Sequence, residues 1–200
     1  ALHGRTIVFS KDLVDKQTTM TLGDDVSKGI ASLIGKEQAL GEAFHITCDK
    51  PMSWGEVLSV YLKVLEQHSG GRKVPVLLTE KSTNLVFPWK RYQLLYCRYF
   101  NRCFDNSKIS RFCDVQEFTS PEAGIAQCLH SFLEAPRFGA VDWYIEAVND
   151  RVSGERTPLH EIPSLRDRIN YLSYRYRLLG YCLYPVKAFL GIVKKICKKG

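Results

Sequence analysis

The stretch GEAFHITCDKPMSWGEVLSVYLKVLEQ, residues 41–67, contains a short apolar run, a polar turn and an amphipathic helix in immediate succession. Residues 43–47 are predicted to form a buried strand, because the run is apolar and rich in residue types that favour strands. Ser53 and Glu56 have the spacing of a capping box, which predicts that a helix begins there. The apolar side chains that follow predict one buried stripe, namely Val57, Leu58, Tyr61, Val64 and Leu65.

Short strands and amphipathic helices are predicted on both sides of this unit. Residues 6–9 and 74–78 have the β-branched and apolar composition of strands. Thr21 is predicted to cap a helix that Gly35 ends, and the chain beyond residue 79 is predicted to be mainly helical. The later helices are predicted to begin near Pro88, Ser120 and Ser164 and after Pro185, with another apolar stripe over residues 141–148.

The composition is that of a globular protein with a core of its own. The chain has 200 residues, which suits one large domain or two small ones. Its seven cysteines include no C-x-x-C pair, so we expect reduced thiols in a cytosolic protein. A zinc site would need closer pairs of ligands, and we expect no metal. No apolar run has the length of a signal peptide or the about 18 residues of a membrane span.

The charge is concentrated at the C-terminal end. Residues 164–200 contain nine Lys or Arg and one Asp, a net charge of +8, whereas the remainder has 19 basic and 20 acidic residues. Within residues 180–200 an apolar stripe faces away from the lysines, the pattern of a helix at a membrane interface. The stripe is Val186, Phe189, Leu190, Val193 and Ile196. Packing of the stripe on the body or on a second subunit is one interpretation, binding to an anionic membrane surface is another, and binding to nucleic acid is a third.

Several motifs that suggest catalysis have simpler interpretations. The glycines at 23, 29, 35 and 41 do not match a P-loop and are interpreted as helix ends and a turn. Asp24 and Asp25 are adjacent on a helix and point about 100° apart, so we interpret them as structural acids of the first turn. His45 is interpreted as a core histidine. No catalytic residue is predicted.

Residues 90–108, KRYQLLYCRYFNRCFDNSK, mix basic with aromatic side chains. Nucleic-acid binding is one interpretation, and a helical face that packs beside exposed arginines is the other. The packed face would comprise Tyr92, Leu95, Tyr96 and Tyr99. Arg102 and Lys108 flank a predicted loop, where an arginine fork suits a pyrophosphate. We therefore predict Arg102 and Lys108 as substrate-binding residues.

Motifs in the first two thirds of the chain resemble one enzyme family. The motifs are GDDVS at 23–27, GEAFHITCD at 41–49, Ser53-Trp54, FDNSKISRF at 104–112 and SPEAGIAQCLHSFLEAP at 120–136. In order and spacing they resemble the C-terminal half of the extended short-chain dehydrogenase/reductases, which include the NAD-dependent epimerases and dehydratases of nucleotide sugars. The resemblance covers residues 1–136.

This resemblance implies an α/β fold, the C-terminal part of a Rossmann-type protein with a mainly helical substrate lobe and a basic helical tail. Residues 1–50 would be the remnant of the Rossmann sheet, 51–155 the substrate-binding lobe and 156–200 the amphipathic tail. The residues 44–47 would form a late parallel strand of that sheet.

The resemblance also implies a function in the cytoplasm, peripheral to the inner membrane face: binding of a nucleotide-sugar substrate for surface polysaccharide biosynthesis, with NAD or NADP in the intact enzyme. The sequence contains neither the family's glycine-rich phosphate turn nor its Tyr-x-x-x-Lys pair. We therefore expect this chain alone to be inactive and to bind no NAD. The alternative is a non-catalytic scaffold protein derived from the same lobe. A homodimer is a further expected partner, and nucleic acid is not.

Overall fold

A computed structural model describes residues 1–86, 91–137 and 141–176 as a mixture of helices and short strands. The strands are β1 (Ile7–Ser10), β2 (Gln17–Thr18), β3 (Met52–Ser53) and β4 (Val76–Thr79). The α-helices are α1 (Lys11–Val14), α2 (Gly23–Leu33), α3 (Trp54–His68), α4 (Pro121–Glu134), α5 (Trp143–Ser153) and α6 (Leu165–Arg175). No helix within these residues is long and apolar enough to cross a membrane. The predicted tail helix and the start near Pro88 lie outside the described residues.

The strands form two small sheets. β1 pairs in parallel with β4, from Ile7 opposite Val76 to Ser10 opposite Thr79, and β2 pairs antiparallel with β3. Parallel strands need a long crossover, which here includes α3. In both pairs, one strand lies before residue 50 and the other lies after it. β1, in the predicted sheet remnant, therefore pairs with β4, in the predicted substrate-binding lobe. The Rossmann-type assignment stays a prediction.

The strand predicted over residues 43–47 is wrong for the described chain. These residues have no regular secondary structure and no neighbouring strand. Side chains take the place of a ladder: Asn106 bonds both the amide and the carbonyl of Thr47, and the Thr21 hydroxyl accepts from the Cys48 amide at 3.0 Å. Phe44 and Ile46 pack on the core around Ile109, but Ala43 and His45 are exposed, so the segment is not the buried strand that was predicted.

Helix ends follow local chemistry in most cases. Ser53 and Glu56 form the predicted capping box, with the Glu56 amide 3.1 Å from the Ser53 hydroxyl. Ser120 and Ser164 cap α4 and α6 as predicted. Thr21 does not cap α2, because its hydroxyl is the acceptor for Cys48 and the helix begins at Gly23.

Gly29 does not lie at a helix end or in a turn, so the interpretation of the four glycines is wrong for this one. It lies buried in the middle of α2, where an added Cβ would be 2.5 Å from the Ile46 side chain. Gly35 and Gly41 do have the positive φ, 73° at each, that favours glycine in turns. Gly29 instead permits the helix to approach residues 44–46 closely.

The predicted packed face at Tyr92, Leu95, Tyr96 and Tyr99 is wrong in most of its members. Tyr92, Leu95 and Tyr96 are exposed, and Leu94 is the buried residue. Residues Leu94–Arg98 form a π-helical turn, whose wider hydrogen-bond spacing shifts the buried face away from α-helical periodicity. Only Tyr99 turns inward, and its hydroxyl donates to Asp12 at 2.8 Å.

Asp25 is fully buried at the start of α2 and holds this helix to the segment before α4. Its carboxylate accepts from the Thr119 amide at 2.8 Å and from Lys28 Nζ at 2.9 Å. Burial opposes ionisation of Asp25, but the hydrogen bonds from Lys28 and Thr119 outweigh it, so its pKa lies below the ordinary 3.8. Thr119 and Lys28 are thus the partners of Asp25 in its predicted structural role.

The lowered pKa of Asp25 predicts part of the acid sensitivity of the fold. A carboxyl group whose pKa is lower in the folded state adds stability above its unfolded-state pKa, and that stability is lost as the pH falls through the folded-state pKa. We expect Asp25→Asn to cost about 1–3 kcal/mol at pH 7 and to lose less further stability than wild type between about pH 4 and 2.

Urea unfolding over this pH range measures the effect. Asp24→Asn is the matched control, because Asp24 is the exposed neighbour, and we expect it to keep the wild-type acid dependence. An unchanged acid dependence in Asp25→Asn would contradict the assignment.

Candidate functional site

Two of the segments that carry the resemblance, residues 41–49 and 104–112, meet at Asn106, which is 5% exposed. Its side-chain oxygen accepts from the Thr47 amide at 3.3 Å and from the Thr47 hydroxyl at 3.0 Å. Its side-chain nitrogen donates to the Thr47 carbonyl and to the Asp49 carboxylate, both at 2.7 Å. An amide offers two donor hydrogens and two acceptor lone pairs, so the hydrogen-bonding capacity of Asn106 is fully used.

An apolar cluster beneath Asn106 joins the same segments. Its buried members are Ile109, Val115 and Phe118, at 0, 5 and 8% exposure. The side chains packed on them come from α2, from residues 44–46 and from residues 112–113. Parts of the chain that are more than 50 residues apart therefore share one small core.

The loop at residues 105–108 is shaped by its own hydrogen bonds. The Asp105 carboxylate accepts from the amide and the hydroxyl of Ser107, at 2.9 and 2.8 Å. The bond from the Ser107 amide is the main reason that the pKa of Asp105 lies below its ordinary value. The 3₁₀ turn Ile109–Arg111 follows, with Ile109 buried in the core and Arg111 exposed.

Lys108 lies on the surface side of this loop, against residues 42–44. Its ammonium contacts the Glu42 carboxylate and lies 5.1 Å from the centre of the Phe44 ring. Both charged side chains are partly exposed, at 40 and 49%. The hydrogen bond from Lys108 lowers the pKa of Glu42, so Glu42 is ionised at neutral pH.

Lys108 and Glu42 border an open cleft of about 650 Å³, which we name the basic cleft. Its lining residues are Lys36, Gln38, Glu42, Phe44, Lys108, Arg111 and Phe112. Phe44 and Phe112 pack edge to face, with 5.5 Å between ring centres. Three cations and one carboxylate thus surround an aromatic wall.

Arg102 lies in a different environment, beside β2. Its backbone amide donates to the Gln17 carbonyl at 3.1 Å, and its guanidinium donates to the Thr18 hydroxyl at 2.5 Å and to Cys97 Sγ at 3.2 Å. Its Nε is buried without a hydrogen-bond partner in the described part of the chain. A phosphate at Arg102 would share the guanidinium with Thr18 and Cys97, which use two of its five N–H donors.

The two predicted substrate contacts are therefore not brought together by any shared partner. Arg102 contacts β2 and the π-helical turn, whereas Lys108 contacts Glu42 and Phe44. His45, interpreted from sequence as a core residue, is exposed and lies against Phe104, with 4.9 Å between ring centres and an angle of 57° between the rings. Within residues 1–86, 91–137 and 141–176 no cluster of side chains could hold a metal ion.

Sequence reasoning missed Asn106, Lys36, Arg111 and the role of Glu42. Asn106 and Glu42 lie inside motifs that the resemblance uses, but periodicity and composition do not indicate which side chains of a loop turn inward. Comparison with protein-family models, with curated proteins and with solved structures gave no match.

The full use of Asn106 as donor and acceptor predicts a large effect of an isosteric change. In Asn106→Asp the new carboxylate would face the Thr47 carbonyl and Asp49, which are both acceptors. We expect the free energy of unfolding at pH 7 to fall by about 3 kcal/mol, because buried acceptors lose their donor and like charges meet.

Asn101→Asp is the control for this change. The Asn101 side chain is exposed and only accepts a hydrogen bond, from the Gln17 amide at 3.0 Å, which a carboxylate can also accept. We expect it to change stability by less than about 0.5 kcal/mol in urea unfolding. Equal effects of the two substitutions would contradict the role given to Asn106.

Proposed function

We propose that this chain is the C-terminal substrate-binding portion of an NAD(P)-dependent nucleotide-sugar epimerase or dehydratase of surface polysaccharide biosynthesis. The observation that carries the proposal is the convergence at Asn106. Two of the motifs on which the resemblance rests, residues 41–49 and 104–112, contact each other through Asn106 and the core around Ile109. Asp25, in the motif at 23–27, accepts from the Thr119 amide directly before the motif at 120–136. Motif segments that belong to one functional unit are expected to meet in this way.

Lys108 and Arg102, the two predicted substrate contacts, differ in how freely each could bind a phosphate. Lys108 is accessible at one edge of the basic cleft and is proposed to bind a substrate phosphate as a point charge. Arg102 would have to bind a phosphate beside the Thr18 hydroxyl and the Cys97 thiol, each of which already accepts a hydrogen bond from one of its terminal nitrogens.

The described residues do not fit a dinucleotide. Such a site needs a glycine-rich turn between a strand and a helix, where backbone amides approach the pyrophosphate. β1 leads into Lys11–Val14 and β4 into residues 80–84 without a glycine. The transitions from β2 to α2 and from β3 to α3 have single glycines, Gly23 and Gly55, and neither has the glycine-rich spacing. The role proposed for this chain is therefore binding and orienting the sugar nucleotide, and NAD or NADP belongs to the intact enzyme.

Nucleotide binding without turnover is the expected behaviour of the isolated chain. We expect calorimetric titration to detect UDP, dTDP or GDP, and Lys108→Gln to weaken that binding about fivefold through loss of one charge-assisted contact. Lys11→Gln is the matched control, because Lys11 is also an exposed lysine paired with a glutamate, Glu80, at 2.5 Å. We expect no conversion of nucleotide sugars in the presence of NAD or NADP.

Absence of binding by all three nucleotides would remove the proposed function. Turnover by the chain alone would contradict its assignment as a portion that lacks the catalytic pair.

A scaffold protein with a membrane-surface tail is the second candidate, and the uneven charge favours it. The net charge of +8 in residues 164–200 is suited to the anionic leaflet on the cytoplasmic side of a membrane, where each lysine contributes about 1 kcal/mol. A homodimer is the alternative partner for the apolar stripe in this segment.

Co-sedimentation with liposomes tests the tail directly. We expect binding to vesicles that contain phosphatidylserine, little binding to phosphatidylcholine alone, and loss of binding when residues 180–200 are deleted. Lys194→Glu with Lys195→Glu in the full chain should also abolish binding, because the apolar stripe remains while the net charge of residues 180–200 falls from +5 to +1. Binding that ignores the anionic lipid, or that survives both changes, would contradict membrane association.

A further inference from the structure

The basic cleft contains more positive charge than the described structure neutralises. Lys36, Lys108 and Arg111 line it together with a single carboxylate, Glu42. Glu42 pairs with Lys108, and within the described residues the side chains of Lys36 and Arg111 have no carboxylate partner. The cleft therefore has two cations in excess, on separate segments of the chain.

The aromatic side of the cleft suits a flat ring rather than a bare anion. Phe44 and Phe112 are half-buried and held by the core around Ile109, so their rings are fixed in place. The volume of about 650 Å³ lies in the range of small-molecule sites. Nucleobases stack on aromatic side chains, and phosphates bind lysine and arginine.

Glu42 occupies the position that a phosphate would take. Its carboxylate contacts Lys108, and because the pKa of Glu42 is lowered it stays ionised at neutral pH. The pair is half-exposed, at 40% for Lys108 and 49% for Glu42, so it can open at little cost. An entering phosphate would exchange one anionic partner of Lys108 for another.

We propose that the basic cleft binds a nucleoside diphosphate group, with the base against the Phe44 and Phe112 rings, the phosphates on Lys36, Lys108 and Arg111, and Glu42 as an internal competitor for Lys108. The proposal rests on the proposed function and specifies which part of the nucleotide sugar this chain holds. It assigns roles to Lys36, Arg111 and Glu42 that the sequence did not suggest. The cleft adjoins an apolar recess of about 430 Å³ that shares Lys36, Glu42 and Phe44 with it.

Because Glu42 is proposed to compete with a phosphate for Lys108, removing the charge of Glu42 should raise the affinity for UDP. Glu42→Gln keeps the size of the side chain, releases Lys108 and removes a negative charge from the cleft. We expect calorimetric titration of the full chain to give a Kd for UDP about threefold lower than in wild type. A gain of binding is not an outcome that local unfolding produces.

Matched variants separate this effect from a general change in charge. Glu80→Gln removes a carboxylate from a similar exposed pair, with Lys11, outside the cleft, and should leave the Kd unchanged. Lys36→Gln and Arg111→Gln should each raise the Kd about threefold. UDP should bind more tightly than either uridine or pyrophosphate, because each of these has only half of the groups that the cleft recognises.

Each outcome decides the proposal. UDP binding that Glu42→Gln leaves unchanged or weakens would overturn the competition and leave the proposed function standing. Pyrophosphate that binds as tightly as UDP would overturn the assignment of the base to the aromatic wall. No binding of UDP, dTDP or GDP to wild type or Glu42→Gln would overturn both this inference and the proposed function.

Discussion

The Asn106 side chain is the interaction on which the described structure depends most. Residues 43–48 have no neighbouring strand, and their backbone groups would lose hydrogen bonds on burial without a substitute. Asn106 supplies that substitute, since its amide pairs with both the amide and the carbonyl of Thr47 as a peptide group would. Because all four of its hydrogen bonds go to Thr47 and Asp49, it also fixes the loop from which Lys108 emerges.

The positions of the cations in the basic cleft follow from the hydrogen bonds of Asn106. Ile109 is buried directly after Lys108, so the lysine must point outward toward Glu42 and Phe44. Arg111, two residues further along a 3₁₀ turn, then faces the same cleft. A single buried amide thus fixes the loop that places two cations beside Phe44 and Phe112, on which the proposed nucleotide site depends.

The sequence predicted what short-range chemistry determines and failed where partners are distant. The capping box at Ser53 and the serine caps at Ser120 and Ser164 were predicted correctly, because a cap involves residues three positions apart. The π-helical turn at Leu94–Arg98 shifts a face that α-helical periodicity placed on Tyr92 and Tyr96. For residues 43–47 the composition indicates a strand, but whether a strand forms depends on a neighbour. Asn106 lies 59 residues from Thr47, and no local pattern joins them.

Native-state hydrogen exchange tests the central claim most directly, because three backbone amides in the segments around Asn106 and Asp25 donate to side chains rather than to a ladder or a helix. These are Thr47 to Asn106, Cys48 to Thr21 and Thr119 to Asp25. We predict that all three exchange at least about a thousandfold more slowly than in an unstructured peptide and open together, as one cooperative unit. Exchange of the Thr47 and Cys48 amides at rates typical of an unstructured chain, while the amides of α3 and α4 remain protected, would contradict the account.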